Sequence, residues 1–294
     1  MPALSSHQLG LLAAIGAYSI WGLFPIYFRA LDAVRPDEIL IHRIIWGAAF
    51  LYLVLWLRRQ TVRRFCGDRR LILSLMASAV CIATNWLVFV YAVSTHRTLE
   101  ASYGYFINPL MIVAVGVWVL KDPISPVQKL SLGLVVTSVA YQTYLIGYIP
   151  WIALALAGTL TLYGFIRRSA GVAAMEGLFM ETLLLAPIAI IYGSNLKGQG
   201  HLVFTQDSLW LDLLLLAAGP ATAIPLLLFT VAARNLKFSN VGYLQYIAPS
   251  LQFFCGWLLF QEPMPAPKLL SFVLIWVALV LPFLAPRFRS KNLI

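Results

Sequence analysis

Charge is what this sequence has least of. Only 11% of its 294 residues are Asp, Glu, Lys or Arg and 61% are hydrophobic, whereas an ordinary soluble domain holds about 25% and about 45–50%. A globule of this size has too little polar surface to cover so many apolar side chains, which excludes a soluble fold. Cysteine is scarce too. Cys66, Cys81 and Cys255 are scattered without metal or redox spacing, which argues against a disulfide framework and leaves buried filler as their reading. His7, His42, His96 and His201 are equally dispersed, and no H-E-x-x-H, G-x-S-x-G or phosphate-binding loop occurs. The sequence therefore offers no catalytic group, no metal site and no cofactor or nucleotide site. Strict apolar/polar alternation is also missing. The apolar runs are continuous, so the spanning elements are helices and not strands of a barrel.

"MPALSSHQ" carries no Lys or Arg, and no small-residue cleavage site follows the first apolar run, so that run is read as a span and not as a cleaved signal. Taking about 20 residues per crossing, spans fall near 9–30, 37–57, 71–93, 99–120, 127–146, 149–166, 172–193, 209–231, 240–260 and 267–286. The net charge of +10 does not make nucleic acid a partner, because the basic residues sit at span ends and in alternate connections. Fifteen of the 21 Lys and Arg border even-numbered connections or the tail, among them Arg58, Arg59, Arg63, Arg64, Arg69 and Arg70 in the second and Arg167 and Arg168 in the sixth. Five border odd-numbered ones: Arg29, Arg35, Arg97, Lys197 and Lys268. By the positive-inside rule both termini and the even connections are cytoplasmic, in a multi-pass protein of the cytoplasmic (inner) membrane.

An internal repeat organises the spans. "SYGYFINPLMIVAVGVWVLKDP" from Ser102 returns 140 residues later as "GYLQYIAPSLQFFCGWLLFQEP" from Gly242, matching Tyr103 with Tyr243, Pro109 with Pro249, Gly116 with Gly256 and Pro123 with Pro263. A weaker echo pairs "IWGLF" from Ile20 with "LYGFI" from Leu162. Each copy holds five spans, and an odd number sends the second copy into the membrane from the opposite face. The expected fold is an all-α integral membrane protein of ten transmembrane helices in two inverted five-helix repeats, 9–146 and 149–286. Such repeats around a midplane site are a transporter architecture.

Three stretches also resemble a known family: "YSIWGLFPIYFRAL" from Tyr18, "DEILIHRIIW" from Asp37 and "LEASYGYFINPL" from Leu99, extended by "GYLQYIAP" and "FVLIWVAL" in the second half. They are similar to the EamA-domain drug/metabolite transporter superfamily, and within it to the RarD-type, chloramphenicol-sensitive branch. The resemblance implies an inner-membrane carrier of small organic solutes, often an exporter, with a cavity lined by the first, third, fourth, sixth, eighth and ninth helices. "LKDP" after the fourth span departs from the usual Gly-Glu pair and leaves a role for Asp122 open, while Glu262 keeps the acid in the other half.

Candidate site residues follow from what is unusual in a span. Pro109 removes a backbone hydrogen bond beside Asn108, and Pro249 repeats it, so both are candidate helix breaks. Tyr105, Asn108 and Ile112 share a helical face, and the 140-residue offset maps them onto Gln245, Ala248 and Gln252. These stripes either face each other across a solute pocket or join helices by hydrogen bonds. Trp21 and Tyr163 occupy matching places in the first and sixth spans and could hold a flat or cationic solute, with Trp86, Tyr91 and Tyr103 as further aromatics; Asn85 is another buried amide. A charge at mid-bilayer costs about 2.5 to 3.5 kcal/mol, which singles out Arg43 and Glu181 as coupling residues. Glu181 is expected to be buried and to take a proton or a basic partner. Arg43, about two turns from the outer end, is expected to snorkel outward, and the two either pair or act separately. His42 reads as a capped interfacial histidine, Glu38 and Glu100 as helix-end groups, and Glu176 as a residue near the inner end. The implied function is a secondary transporter of small organic solutes such as amino-acid-like metabolites or amphipathic drugs, exporting by alternating access, with protons as candidate coupling ions and membrane lipid as surroundings. A membrane-embedded enzyme and an uncoupled facilitator or channel are the alternatives.

Overall fold

The computed structural model describes residues 5–59, 68–119, 121, 123–206, 208–236, 241 and 244–284. Arg63, Arg64, Cys66, Asp122, Tyr243 and the basic tail fall outside these. The described residues are helical, without strand. In chain order the helices are α1 (Ser6–Arg29), α2 (Pro36–Leu57), α3 (Arg69–Ser94), α4 (Thr98–Trp118), α5 (Pro126–Ile146), α6 (Trp151–Ala170), α7 (Ala174–Gly198), α8 (Leu209–Asn235), α9 (Ile247–Phe254, prolonged by a π turn Cys255–Leu259) and α10 (Ala266–Leu284).

Local chemistry sets the ends. Ser5 with Gln8 and Ser125 with Gln128 form reciprocal capping boxes at the starts of α1 and α5, and Asp68 and Ser208 cap α3 and α8. Gly147 (φ 74°) and Gly171 (φ 62°) close α5 and α6 in the left-handed region that glycine enters without penalty. Among the described residues six helices, α1 to α4, α7 and α8, are long and apolar enough to cross a membrane, and α9 and α10 are shorter apolar helices. Large apolar side chains cover the outside: Trp56, Trp118, Val136, Ile188 and Leu209 are all exposed. Lipid is the solvent such a surface fits.

The odd-numbered connections gather at one end of the bundle. Glu38 at the start of α2 accepts the N–H groups of Val203 and Phe204 before α8 (3.0 and 2.9 Å). Glu100 at the start of α4 accepts from Ile152 N at the start of α6 (3.2 Å) and pairs with Arg97 (2.6 Å). Glu262, just after α9, accepts from Thr98 N (2.7 Å) and Leu99 N (2.8 Å) at the start of α4. Arg29 at the end of α1 reaches the Val93 carbonyl (3.2 Å) and lies over the Phe260 ring (5.1 Å). Carboxylates thus satisfy backbone N–H groups that would otherwise be orphaned. This bears out the helix-end reading of Glu38 and Glu100.

The helix pairings have a regularity of their own. α1 packs on α8 as α6 packs on α3; α1 meets α9 as α6 meets α4; α2 meets α8 as α7 meets α3; and α2 with α7, α4 with α9 and α5 with α10 are direct partners. Exchanging α1–α5 with α6–α10 leaves this set of pairings unchanged. The α4–α6 contact is backbone-close, since a Cβ on Gly104 would stand 2.6 Å from the Ala153 carbonyl oxygen. That oxygen cannot move aside. Gly104→Ala is therefore expected to cost about 1 to 3 kcal/mol, read as an earlier thermal transition of the purified protein in detergent; an unchanged transition would contradict the close packing.

The two matched prolines differ in place. α4 runs through Pro109 without interruption, so the helix-break reading of Pro109 is corrected: one missing bond is tolerated within a long packed helix. Pro249 stands in the first turn of α9, behind the turn at Gln245–Tyr246, where its missing N–H costs nothing. The interruption in the second half thus lies ahead of its proline.

Candidate functional site

Arg43 is 3% exposed and does not snorkel, contrary to expectation. α2 aims it inward, where Nε donates to Thr222 Oγ1 of α8 (3.2 Å), a hydroxyl that itself donates to the Ala218 carbonyl (2.8 Å). Its guanidinium lies 4.3 Å from the Trp86 ring, 5.2 Å from Phe28 and 5.8 Å from Phe24. These contacts stabilise a desolvated cation; leaving them would expose the aromatic faces. Among the described residues Nη1 has no hydrogen-bond partner and no carboxylate lies within ion-pair distance of Arg43. Tyr27 and Tyr105 are its electrostatic neighbours, the former donating to the Leu214 carbonyl (2.5 Å) and the latter to Asn85 Oδ1 (3.0 Å).

Glu181 forms a second centre. It is fully buried, accepts from Ser78 Oγ (2.6 Å) and Tyr163 OH (3.2 Å), and stands 3.6 Å from Arg167 Nε. Tyr163 and Arg167 lie four residues apart on one face of α6. Arg167, counted above among the cytoplasmic loop charges, is thus turned into the protein, with Nη2 on the Val172, Ala173 and Ala174 carbonyls (3.3, 3.0 and 3.4 Å). Arg43 and Glu181 do not pair with each other.

They are nevertheless matched. Arg43 is the eighth residue of α2 and Glu181 the eighth of α7, which accounts for their offset of 138, the difference between the helix starts Pro36 and Ala174. Each is held by a hydroxyl from the other half, Thr222 on α8 for Arg43 and Ser78 on α3 for Glu181. Ser78 and Trp86 stand on one face of α3, about 12 Å apart along its axis, so that one helix face carries both centres.

The amides are arranged as interhelical fasteners. Asn85 Nδ2 donates to the Leu156 carbonyl (2.9 Å) and Thr159 Oγ1 (3.0 Å). Asn108 Nδ2 donates to the Ala157 carbonyl (3.2 Å) and Thr161 Oγ1 (2.9 Å), fixing α4 to α6. Gln252 Nε2 donates to the Trp21 carbonyl (3.3 Å), fixing α9 to α1. Gln245 is half-buried at the turn before α9, and the Asn108 amide is bonded to α6 and not to it. Trp21 packs between Tyr18 (5.6 Å) and Phe229 (6.1 Å). Of the further aromatics, Trp86 belongs to the Arg43 centre, Tyr91 packs on Trp151 (5.7 Å), and Tyr103 is core, its hydroxyl 2.7 Å from Ser138 Oγ. His42 accepts from Trp46 Nε1 (2.8 Å). A cleft of about 160 Å³ beside Pro109 and Tyr246, and a wider one of about 440 Å³ beside Asp37 and Trp151, lie away from both charges.

Residues 8–144 match the EamA-like transporter family. Protein RarD of Salmonella typhi is 42% identical over 96% of both chains. The chain is a RarD-type member of this family. Protein RarD of Escherichia coli K12 is 39% identical, covering 96% of this chain and 95% of its own, and an uncharacterized transporter of Pseudomonas aeruginosa is 38% identical over 94% of each. A solved structure with 16% identity aligns over 92% of this chain and 96% of its own at a TM-score of 0.58, a likeness of fold alone. This RarD-type chain is accordingly a multi-pass membrane transporter of the bacterial inner membrane.

Sequence reasoning missed Arg167, Ser78, Thr222, Phe24 and Phe28 as parts of the two centres. Two signals were available in the RarD-type sequence: Tyr163 and Arg167 are four apart, and so are Phe24 and Phe28. Gly177 is a further such residue, because a Cβ there would collide with the Arg167 guanidinium. The guanidinium is a movable group, so Gly177→Ala should displace it from Glu181 instead of breaking the backbone. Gly177→Ala and Arg167→Ala are expected to lower thermal stability in detergent non-additively, the double variant losing little more than Arg167→Ala. Full additivity would separate the two residues.

Proposed function

We propose that the protein is a secondary carrier that exports small organic solutes by alternating access, without enzymatic chemistry. In this reading two inverted five-helix repeats, 9–146 and 149–286, make ten crossings with both termini cytoplasmic, and a shared chamber lies between them. The observation that carries it is the exchange of helix pairings between α1–α5 and α6–α10, with Arg43 and Glu181 at equivalent positions of α2 and α7. Two structurally related halves can adopt each other's conformation, which turns an opening on one side into an opening on the other. The direction is carried over from the family resemblance.

Charge supports the sidedness. The odd-numbered connections that meet at one end hold few Lys and Arg, as an outer face requires, while Arg58, Arg59, Arg69 and Arg70, at the opposite ends of α2 and α3, lie toward the other. Glu181 is the candidate coupling residue, since a proton taken up by its carboxylate would dissolve the ion pair with Arg167 and free α6 from α7. Asn85, Asn108 and Gln252 then act as the polar joints on which the chamber wall turns, and Trp21, Tyr105 and Tyr163 line it. The test is reconstitution into liposomes with a panel of small solutes, with and without a pH gradient. Solute-dependent proton movement is expected; solute flux indifferent to pH would make the protein an uncoupled facilitator. A membrane-impermeant thiol reagent that labels Cys66 in intact cells would reverse the orientation.

A further inference from the structure

Arg43 is a cation with an incomplete shell. Among the described residues one neutral hydroxyl takes Nε and three aromatic rings lie about the guanidinium, while Nη1 is buried with nothing to donate to. Its equivalent in the other half, Glu181, is complete: a hydroxyl, a phenol and an ion pair. The difference lies in the anion. Glu181 has its counter-cation from α6, whereas no described carboxylate comes within reach of Arg43 from α1, α3, α4 or α8.

We propose that Arg43 is the recognition point for a solute that carries a carboxylate on a flat apolar body, an inference that rests on the carrier reading and names its substrate class. The chemistry is specific. A guanidinium with a buried free N–H and an aromatic surround offers charge-assisted, planar hydrogen bonding to a carboxylate, and the positive potential of an unpaired cation in a low-dielectric interior favours an anion over a neutral isostere. Thr222, oriented by the Ala218 carbonyl, fixes the guanidinium plane. Trp86, Phe24 and Phe28, whose faces hold the guanidinium in the present closed form, surround it with the apolar aromatic surface that a flat body would meet once the site opens, and the Tyr105 hydroxyl, which reaches Asn85 Oδ1, stands on a further helix of the same group. The site draws on α1, α2, α3, α4 and α8 at once, so an anion arriving there ties together helices of both halves.

The test uses the full-length protein in liposomes and two matched pairs of probes, benzoate with benzamide and indole-3-acetate with indole-3-acetamide. Equilibrium dialysis measures binding, and counterflow of the same labelled probes measures transport. Carboxylates are expected to bind at least about tenfold more tightly than their amides, a difference of about 1.4 kcal/mol, and Arg43→Gln should erase that preference. Arg43→Lys keeps the charge but loses the planar fork, so it should retain part of the preference; it also serves as the informative variant if Arg43→Gln does not fold. Absence of any carboxylate-over-amide preference in the unsubstituted protein overturns the proposal, as does a preference that both variants keep. Counterflow of the amides without carboxylate preference would sink this site while leaving the carrier intact. Carboxylate binding that depends on Arg43 without counterflow of any probe would keep the site and sink the carrier reading.

Discussion

Glu181→Ala is expected to abolish pH-gradient-dependent solute flux and to lower stability by about 3 to 5 kcal/mol, the usual cost of removing one partner of a buried ion pair. The cost arises on the partner. Arg167 is nearly buried, its Nη1 lacks a hydrogen-bond partner among the described residues, and without the carboxylate it loses its counter-charge and is left with neutral groups such as the three backbone carbonyls on Nη2. Ser78 and Tyr163 would also each lose an acceptor inside the bundle. Glu181→Gln separates charge from shape, because the amide keeps one oxygen to accept from Ser78 or Tyr163 and offers its NH2 to the other hydroxyl as a donor, but can neither titrate nor pair with Arg167. This variant is expected to fold and to move solute equally with and without a pH gradient. Glu181→Ala with Arg167→Ala should recover part of the stability lost by the first substitution alone. Flux measured in liposomes and melting measured in detergent decide the matter. If Glu181→Gln keeps both its flux and its response to pH, the carboxylate has no part in coupling.

How the sequence and the structure divide the information is clear at these same residues. Apolar runs report burial in lipid directly, so the helix positions in the described residues follow the sequence closely: a span near 71–93 is α3 (Arg69–Ser94), and one near 172–193 is α7 (Ala174–Gly198). Glu181 is legible as buried because a carboxylate in such a run has no other economical place. Its partner is not. Arg167 follows a span end and is indistinguishable in sequence from a solvated loop charge, yet α6 and α7 bring it back onto the carboxylate. Arg43 errs the other way, since a long side chain near a helix end permits snorkelling and only the positions of Phe24, Phe28 and Trp86 on two other helices decide against it. Helix rotation is likewise invisible to a repeat. The 140-residue match aligns Asn108 with a residue of α9, but Asn108 turns to α6 and Gln252 turns to α1.

The second large effect is expected at the end of the bundle where the odd-numbered connections meet. Glu262 belongs to the second half, and both its oxygens accept backbone N–H groups of the first half, Thr98 at 2.7 Å and Leu99 at 2.8 Å. Neither N–H has an intrahelical acceptor, because both open α4. Glu262 is therefore a fastener between halves at the proposed outer face, and one that alternating access must release. Each hydrogen bond to a charged group contributes about 1.5 to 3 kcal/mol net. Losing one of them alone shifts an open–closed equilibrium by roughly tenfold or more. Glu262→Ala is accordingly expected to favour the outward-open form. A cysteine placed at Ala101, fully buried in the present form, in a background lacking the native cysteines, should react with an external maleimide at least about tenfold faster. Glu262→Gln keeps an acceptor oxygen and should lie between. A labelling rate at Ala101 that Glu262→Ala leaves unchanged, with melting also unchanged, would mean that this carboxylate only caps a helix and that the outer gate is held elsewhere.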